Sequence, residues 1–512
     1  MGPEEADQLV QKYFKRKGLP LMPAVTFDDV LVREGISSIA SRSDITNLKA
    51  QLAKDFWLNI PVVSANMDTV TDSRMAIALA RLGGMGFIHQ FVSLEDRLEE
   101  VSKVKRADNM VIENPATIRP EATWAEAQAV MAEREISCLL VTDAQGILAG
   151  ILTSRDTQFC SDPNALVGDL MTPKTRDGHF VLQTARPDIS NEDAEKMLKR
   201  SKVEKLPLID DEGKVVGLIT AKDILKRRMF PNAARDEKGQ LLVGATLRFS
   251  GNYLEEAKAL IDAGADVLLL DTARASSSSE DGILASQYLT PGKIVELAAE
   301  RTAKIKYVFP KIVLVVGNTA NPEAVALLAS RGADCVKIGI GPGAGCKTQE
   351  VAGIGSPQLH AIAQCAAVAR EIGVCLMADG GIRNGGCMVK ALVGGANVVM
   401  LGSLLAGTDK SPGLLVWNRK ENKLVKKYRG SASTEHQLDR IKVGDLHAVR
   451  TSEGEAGAVP YMGTTVSLID DLLGGLRSGM SYVGAHNLEE LWQFGRFVWR
   501  TQAGIEEGRP RI

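Results

Sequence analysis

The chain has 512 residues, 45% of them hydrophobic and 24% charged, values that exclude a mostly disordered protein. Such a length calls for two or three domains, or one large α/β barrel carrying an insertion. With 61 Lys and Arg against 63 Asp and Glu, the net charge is −2 and aromatics are 5%, so neither a field for wrapping nucleic acid nor an aromatic stacking platform is present.

The N-terminus, MGPEEADQLVQKYFKRKG, is charged and lacks the apolar core of a secretion signal. The longest uncharged stretch, Val351 to Ala369, is interrupted by Gly, Pro, Gln and His and is unsuited to a bilayer. Seven cysteines, an odd number with no C-x-x-C pair, fit reduced thiols better than a disulfide framework or a zinc site. The expectation is a cytoplasmic protein with no nucleic-acid and no membrane partner.

Along the chain, two short apolar runs come first, IPVVSA at Ile60–Ala65 and GMGFIH at Gly84–His89, with the helical pattern MAIALARLGG between them. After about residue 240 the alternation resumes with LLVGATL, DVLLLD, KIVLVVGN, CVKIGIG, VCLMADG and NVVMLGS, most of them separated by helical segments that close near a Gly. Two early and six late fully apolar strands, alternating with helices, predict a parallel sheet of eight strands closed into a (β/α)8 TIM barrel, an α/β fold.

The insertion in this barrel is a repeat. LLVTDAQGILAGILTSRD (139–156) aligns with LPLIDDEGKVVGLITAKD (206–223) at an offset of 67, matching Asp143 to Asp210, Gly146 to Gly213, Thr153 to Thr220 and Asp156 to Asp223. Each copy follows an amphipathic helix and reads as strand, tight turn, strand and helix start. The pair resembles a tandem CBS-domain module, which implies adenine or guanine nucleotide regulators held by Thr153, Asp156, Thr220 and Asp223. Capping of the following helix is the alternative use for these side chains. The expected organisation is barrel over 1–109, tandem CBS module over 110–230, and the remainder of the barrel over 231–512.

The densest chemical signal is IGIGPGAGCKTQEVAGIGSPQ, Ile338 to Gln358, where a strand enters a glycine-rich loop whose backbone can approach a ligand closely. Cys346 lies in this loop with Thr348 two residues on, at the functional end of a barrel strand, which makes it a candidate nucleophile. Cys335 and Cys375 fall inside strands and read as core. ADGGIRNGG (378–386) and LGSLLAG (401–407) follow the seventh and eighth strands, the standard phosphate site of such barrels, with Gly380, Gly381, Gly402 and Ser403 as donors.

The stretches TFDDVLV, NIPVVSANMDTVTDSRMAIALA, PNAARDEKGQLLVGA, GIGPGAGCKTQEV, ADGGIRNGG, MLGSLLAGT and YRG resemble the IMP dehydrogenase/GMP reductase family over nearly the whole chain. The resemblance implies a thioimidate between Cys346 and C2 of a purine nucleotide, with hydride exchanged with a nicotinamide cofactor. It implies that Asp379, Gly381, Gly402, Ser403 and Tyr428 hold ribose and phosphate, and that Asp271 and Asn318 lie near the nicotinamide. Dehydrogenases of the family use an Arg-Tyr pair on a flap, and none occurs between Tyr428 and Glu453. LHAVRTSEG instead resembles the R-x-S-E-G of GMP reductases. That match implies that Arg450, Ser452 and Gly454 belong to the base-reading segment and that Glu453 works with Thr348.

The reductase reading is therefore the expectation, with GMP and IMP as partners and NADPH as cofactor, or NAD for a dehydrogenase with an atypical flap. GEAGAVPYMG and the CBS pair resemble dehydrogenases. A chain with weakened catalysis that binds nucleotides under CBS control is the third reading. The sequence departs from the family at Ala344 and Gly345 before the thiol, and at Lys347, whose charge either polarises the thiol or points outward. It departs again at TARASSSSE after Asp271 and at Ser431. A homotetramer or octamer is implied, as is a possible K+ on the carbonyls of Gly341, Gly343 and Cys346.

Overall fold

The computed structural model describes residues 2–509 apart from 20, 22–23, 109–110, 114, 135, 178, 250, 272–290, 431–432 and 434–453. Eight parallel strands close on themselves: β1 (Val62–Ser64), β2 (Met85–Ile88), β3 (Val243–Leu247), β4 (Val267–Asp271), β5 (Val313–Thr319), β6 (Cys335–Ile338), β7 (Cys375–Asp379) and β8 (Val398–Leu401). Each of the eight apolar runs supplies one strand, in chain order. The ring is completed where Val399 pairs with Val62 and Leu401 with Ser64.

Runs of Val, Ile and Leu suit this position because both faces of a closed parallel sheet are covered, one by its own interior and one by helices. The charged residues of β4 and β7, Asp271 and Asp379, are the last of their strands. Their carboxylates therefore come to the C-terminal mouth rather than into the core.

The outer helices are α1 (Ser73–Leu82), α2 (Leu94–Ala107), α3 (Tyr253–Asp262), α4 (Pro291–Val308), α5 (Pro322–Ser330), α6 (Gln358–Ile372), α7 (Gly385–Gly394) and α8 (Thr465–Val483). Local chemistry sets their ends. Asp72 accepts from the Met75 N–H at 3.2 Å, and Asn384 accepts from the Cys387 N–H at 2.9 Å. Helix α1 ends on Gly83 at φ +105°, a conformation that glycine adopts without strain. An N-terminal helix, Pro3–Lys17, packs on α6, and its Tyr13 hydroxyl donates to the Gly394 carbonyl at 2.8 Å.

Residues Met1–Ala107 and Asn232–Ile512 make one compact unit and Asp108–Pro231 a second. Inside the second, the repeat is visible in register. Strands Cys138–Thr142 and Leu148–Thr153 pair antiparallel, as do Lys205–Ile209 and Val215–Thr220, with an irregularity at the matching position of each hairpin. The turns are built alike: Asp143 Oδ1 accepts from the N–H groups of Gln145 and Ile147, and Asp210 Oδ1 from those of Glu212 and Lys214. Gly146 and Gly213 take φ of +83° and +84°.

The copies diverge after their second strand, where the sequence led us to expect a helix start in both. The second copy continues into helix Ala221–Met229, whereas residues 154–159 of the first are hydrogen-bonded turns. In the first copy the Asp156 carboxylate is tied back to the turn. Oδ2 accepts from the Thr153 N–H at 2.7 Å and hydroxyl at 2.6 Å, and Oδ1 accepts from the Thr172 hydroxyl at 2.7 Å. Among the described residues no helix is long and apolar enough to cross a membrane.

Candidate active site

Four polar side chains meet at the C-terminal end of β4 to β7. Lys337 on β6 is 2% exposed, and its Nζ donates to Asp379 Oδ2 at 2.8 Å and lies 3.6 Å from Asp271 Oδ2. Asn318 Nδ2 donates to the same Asp379 Oδ2 at 2.9 Å and to the Gly339 carbonyl at 2.9 Å. Asn66, in the loop after β1, donates to Asp271 Oδ2 at 2.9 Å. Burial pushes the Lys337 pKa down, but the carboxylates of Asp271 and Asp379 outweigh it and the ammonium is held above its usual range.

Backbone geometry makes room for this floor. The ladder between β5 and β6 shifts register between Gly317 and Thr319, so Asn318 drops out of the pairing and turns to Asp379. Gly317 has no side chain where a Cβ would lie 2.6 Å from that of Lys337. Gln358, at the start of α6, ties the strand ends together by donating to the carbonyls of Ile338 and Asp379 at 3.0 and 3.1 Å.

Above the floor lies the thiol loop. Cys346 is exposed, its N–H donates to the Gly343 carbonyl at 3.0 Å, and its Sγ is 3.2 Å from the Thr348 hydroxyl. Gly380, at φ +93°, lets the loop after β7 approach: a Cβ there would lie 3.1 Å from the Gly343 nitrogen. Gly381 follows at φ +79°. After β8, Gly402 precedes a one-turn helix, Ser403–Ala406, and the Tyr428 hydroxyl lies near both Gly402 and the Met67 sulfur. Tyr428 is buried, and its phenol is pushed up to about 12, first by burial, then by Asp379 and Cys346. Its neighbour Arg429 is fixed by Asp68.

A three-stranded sheet, Leu415–Asn418, Lys423–Arg429 and Ala456–Pro460, brings the flap back to the thiol. The backbone of Gly454 pairs with that of Cys346, and the Glu455 N–H donates to the Gly345 carbonyl at 2.9 Å. Lys347 spends its charge on Glu455, Nζ to Oε1 3.1 Å, which is the outward of its two expected uses.

The residues expected from the sequence at the barrel mouth thus share one end: Asp271, Asn318, Gly341, Gly343, Cys346, Thr348, Asp379, Gly380, Gly381, Gly402, Ser403, Tyr428 and Gly454 all lie on or after the C-terminal ends of strands, or on the flap that meets them. Arg450, Ser452 and Glu453 lie outside the described residues, as do Ser431 and the segment after Asp271. Thr153 and Thr220 end the second strand of each copy, Asp156 lies in the turn after the first copy, and Asp223 sits on the helix after the second. Sequence reasoning missed Lys337, Gln358 and Asn66. Lys337 had a readable signal, a lone cation within the apolar run CVKIGIG, while two carboxylates ended neighbouring runs.

An exposed thiol on a glycine-rich loop, set over a carboxylate–lysine floor at the C-terminal mouth, defines a (β/α)8-barrel enzyme. The family model "IMP dehydrogenase / GMP reductase domain" matches residues 24–511, and the chain belongs to that family, oxidoreductases that act on purine mononucleotides with a nicotinamide cofactor. Inosine-5'-monophosphate dehydrogenase of Nitrosopumilus maritimus is 40% identical over 95% of this chain and 98% of its own length. The Streptococcus pyogenes enzyme of the same name is 42% identical over 96% and 95%. Among solved structures, a cysteine-to-alanine variant of GMP reductase from Trypanosoma brucei with guanosine 5'-monophosphate superposes with a TM-score of 0.85 at 35% identity, covering 96% of this chain and 98% of that one. The same reductase with guanosine 5'-triphosphate gives a TM-score of 0.75 at 33% identity, covering 94% and 98%.

Proposed function

We propose that the chain is a GMP reductase, converting GMP to IMP and ammonia at the expense of NADPH. One observation carries this reading. The segment Arg450-Thr451-Ser452-Glu453 runs directly into Gly454, whose backbone pairs with Cys346, and no Arg-Tyr pair stands between Tyr428 and Glu453. The likeness of this segment to the R-x-S-E-G of GMP reductases, next in sequence to a glycine paired with the thiol loop, supports the reductase reading.

In this reading the Cys346 thiolate adds to C2 of GMP, and Thr348 with Glu453 delivers a proton to the departing amine, which leaves as ammonia. Hydride at C2 of the resulting thioimidate is what NADPH supplies when bound. The C2–S bond then breaks, returning the thiolate and releasing IMP. Asp379 holds the ribose. Gly380, Gly381, Gly402 and Ser403 hold the phosphate, with Tyr428 closing over it, and Arg450 and Ser452 read the base. Asp271 and Asn318 would hold the nicotinamide end. The fit is supported by Asn318 Oδ1, a buried acceptor with no partner among the described residues, which a carboxamide N–H would satisfy. In the second unit, residues 110–230, a CBS pair taking a purine nucleotide at Thr153, Asp156, Thr220 and Asp223 is the corresponding proposal.

The identities of 40–42% to dehydrogenases support a second reading, oxidation of IMP with NAD+. Purified protein offered GMP with NADPH, and separately IMP with NAD+, distinguishes the two by absorbance of the reduced cofactor. Loss of reduced cofactor with GMP alone is expected. Gain with IMP alone overturns the reductase, and silence in both with intact nucleotide binding indicates a binding protein of weakened catalysis.

A further inference from the structure

Among the described residues, Lys337 is the one charged side chain on the barrel floor that neither the sequence motifs nor the proposed chemistry uses. It sits between two carboxylates assigned to different ligands, Asp379 to the nucleotide and Asp271 to the cofactor. Its ammonium is buried, and its two acidic neighbours come from strands on either side of it in the ring, β4 beyond β5 and β7 directly adjacent.

The bonding is directional. Both floor bonds to Asp379, from Lys337 and from Asn318, land on Oδ2, so Oδ1 has no partner among the described residues. Asp271 Oδ2 receives Asn66 and faces the same ammonium. A carboxylate held by one oxygen from below presents the other upward as an acceptor of fixed orientation, which is what binding a ribose hydroxyl requires.

We propose that Lys337 is a positioning residue that holds Asp379 aimed for the nucleotide while neutralising the repulsion from Asp271. The inference rests on the assignment of Asp379 to the nucleotide. Without the ammonium, two carboxylates would face each other across a poorly solvated floor, and one would retain its proton to higher pH. A protonated or turned Asp379 loses its acceptor. Among the described residues at this end, Arg429 is paired with Asp68 and Lys347 with Glu455, and the Cys346 thiol and the Tyr428 phenol lie there as well.

The test uses the full chain and the equilibrium binding of GMP and IMP between pH 4 and 8, with no turnover required. Lys337→Met should weaken nucleotide binding about tenfold at pH 7 and move the acid fall-off of affinity upward by about one pH unit. Lys337→Arg, which restores the charge, should bring the profile back toward wild type. Adding Asp271→Asn to Lys337→Met should recover most of the lost affinity, because the repelling charge is gone. A folded Lys337→Met variant with the wild-type profile overturns the proposal, as does a double variant no better than the single. If Lys337→Met does not fold, Asp271→Asn alone decides: the acid fall-off should move downward, and an unchanged profile refutes the coupling. Asp379→Asn separates the proposal from its premise. Unchanged nucleotide affinity there removes the assignment of Asp379, whereas lost affinity with an indifferent Lys337 leaves that assignment standing and rejects the role of Lys337.

Discussion

Gly345 and Gly430 touch backbone to backbone beside the thiol: a Cβ on Gly430 would lie 2.4 Å from the Gly345 carbonyl oxygen, and one on Gly345 would lie 3.2 Å from the Gly430 nitrogen. The contact joins the thiol loop to the strand carrying Tyr428, and Glu455 bonds to both glycines through its backbone. Backbone atoms on both sides leave no flexible side chain to yield. Gly430→Ala must therefore displace the loop that presents Cys346. Turnover should fall by about a hundredfold, the usual result of a 1 Å misplacement at a reacting group. Gly457→Ala on the neighbouring strand, with nothing within 4 Å of its Cβ, should retain wild-type turnover. Equal rates for the two variants would show that the contact does not set the thiol.

The seven cysteines should separate by access. Burial pushes the Cys375 thiol up to about 12 and raises those of Cys335 and Cys365, so none of the three forms an appreciable thiolate near neutrality. Cys387 is buried, Cys138 and Cys160 are half-buried, and Cys346 is exposed. Brief treatment with iodoacetamide at pH 7.5, followed by peptide mapping, should label Cys346 first, and GMP should slow that labelling about tenfold or more. Cys346→Ser should lose turnover by at least about a thousandfold while still binding nucleotide. Retained turnover refutes the covalent step.

Much of this was legible before any coordinates. All eight barrel strands were readable because a closed parallel sheet demands unbroken Val, Ile and Leu runs, and the thiol loop because glycine, cysteine and a strand end coincide. The repeat at an offset of 67 reproduced both hairpins, down to the Asp–Gly turns. The floor was harder to read because strand periodicity registers Lys337 as one polar interruption among apolar neighbours. Its partners Asp271 and Asp379 are 66 and 42 residues away in sequence, and only closure of the ring brings the three together. Asn318 was expected at a strand end, yet its bond to Asp379 depends on a register shift that no residue pattern announces. The helix start expected after Thr153 was misread because one T-x-x-D pattern opens a helix in the second copy and turns in the first.

Arg97 on α2 is completely buried, its Nη1 donating to Glu256 Oε1 at 2.7 Å and to the Thr246 carbonyl at 2.9 Å. Glu256 also accepts from the Arg248 N–H at 2.8 Å, so this pair joins α2, β3 and α3 on the outer side of the barrel. Removing one partner strands the other charge away from water, at a cost of about 3–5 kcal/mol. Arg97 also keeps Nε and Nη2 without partners among the described residues, and their loss offsets part of that cost. Arg97→Met should thus destabilise the fold by about 3 kcal/mol in urea unfolding, near the low end of that range. Arg97→Met with Glu256→Gln should recover more than half of the loss. A double variant as unstable as the single would mean that packing, not the stranded carboxylate, sets the cost.

Lys17 gives the clearest pH signature. It ends the N-terminal helix fully buried, donates to the Trp492 carbonyl, and lies 4.9 Å from the Trp492 ring centroid. Burial is the first cause that lowers its pKa to about 7 from 10.5, and the positive charges of Arg496, Arg16 and Arg370 add to it. The folded state therefore binds this proton less readily than the unfolded chain. Stability falls as pH drops from about 10 toward 7, where only the unfolded form takes up the proton, and levels off below 7, where both states hold it. Lys17→Met removes the titration but also leaves the Trp492 carbonyl without that donor, a constant loss independent of pH. The informative quantity is the difference between variant and wild type across pH. The variant should gain stability relative to wild type steadily from pH 9 to pH 7, with only a small further gain from pH 7 to pH 6. Urea unfolding at pH 9, 8, 7 and 6 measures it, and a difference that stays flat from pH 9 to pH 7 would show that Lys17 keeps its ordinary affinity for the proton when buried against Trp492.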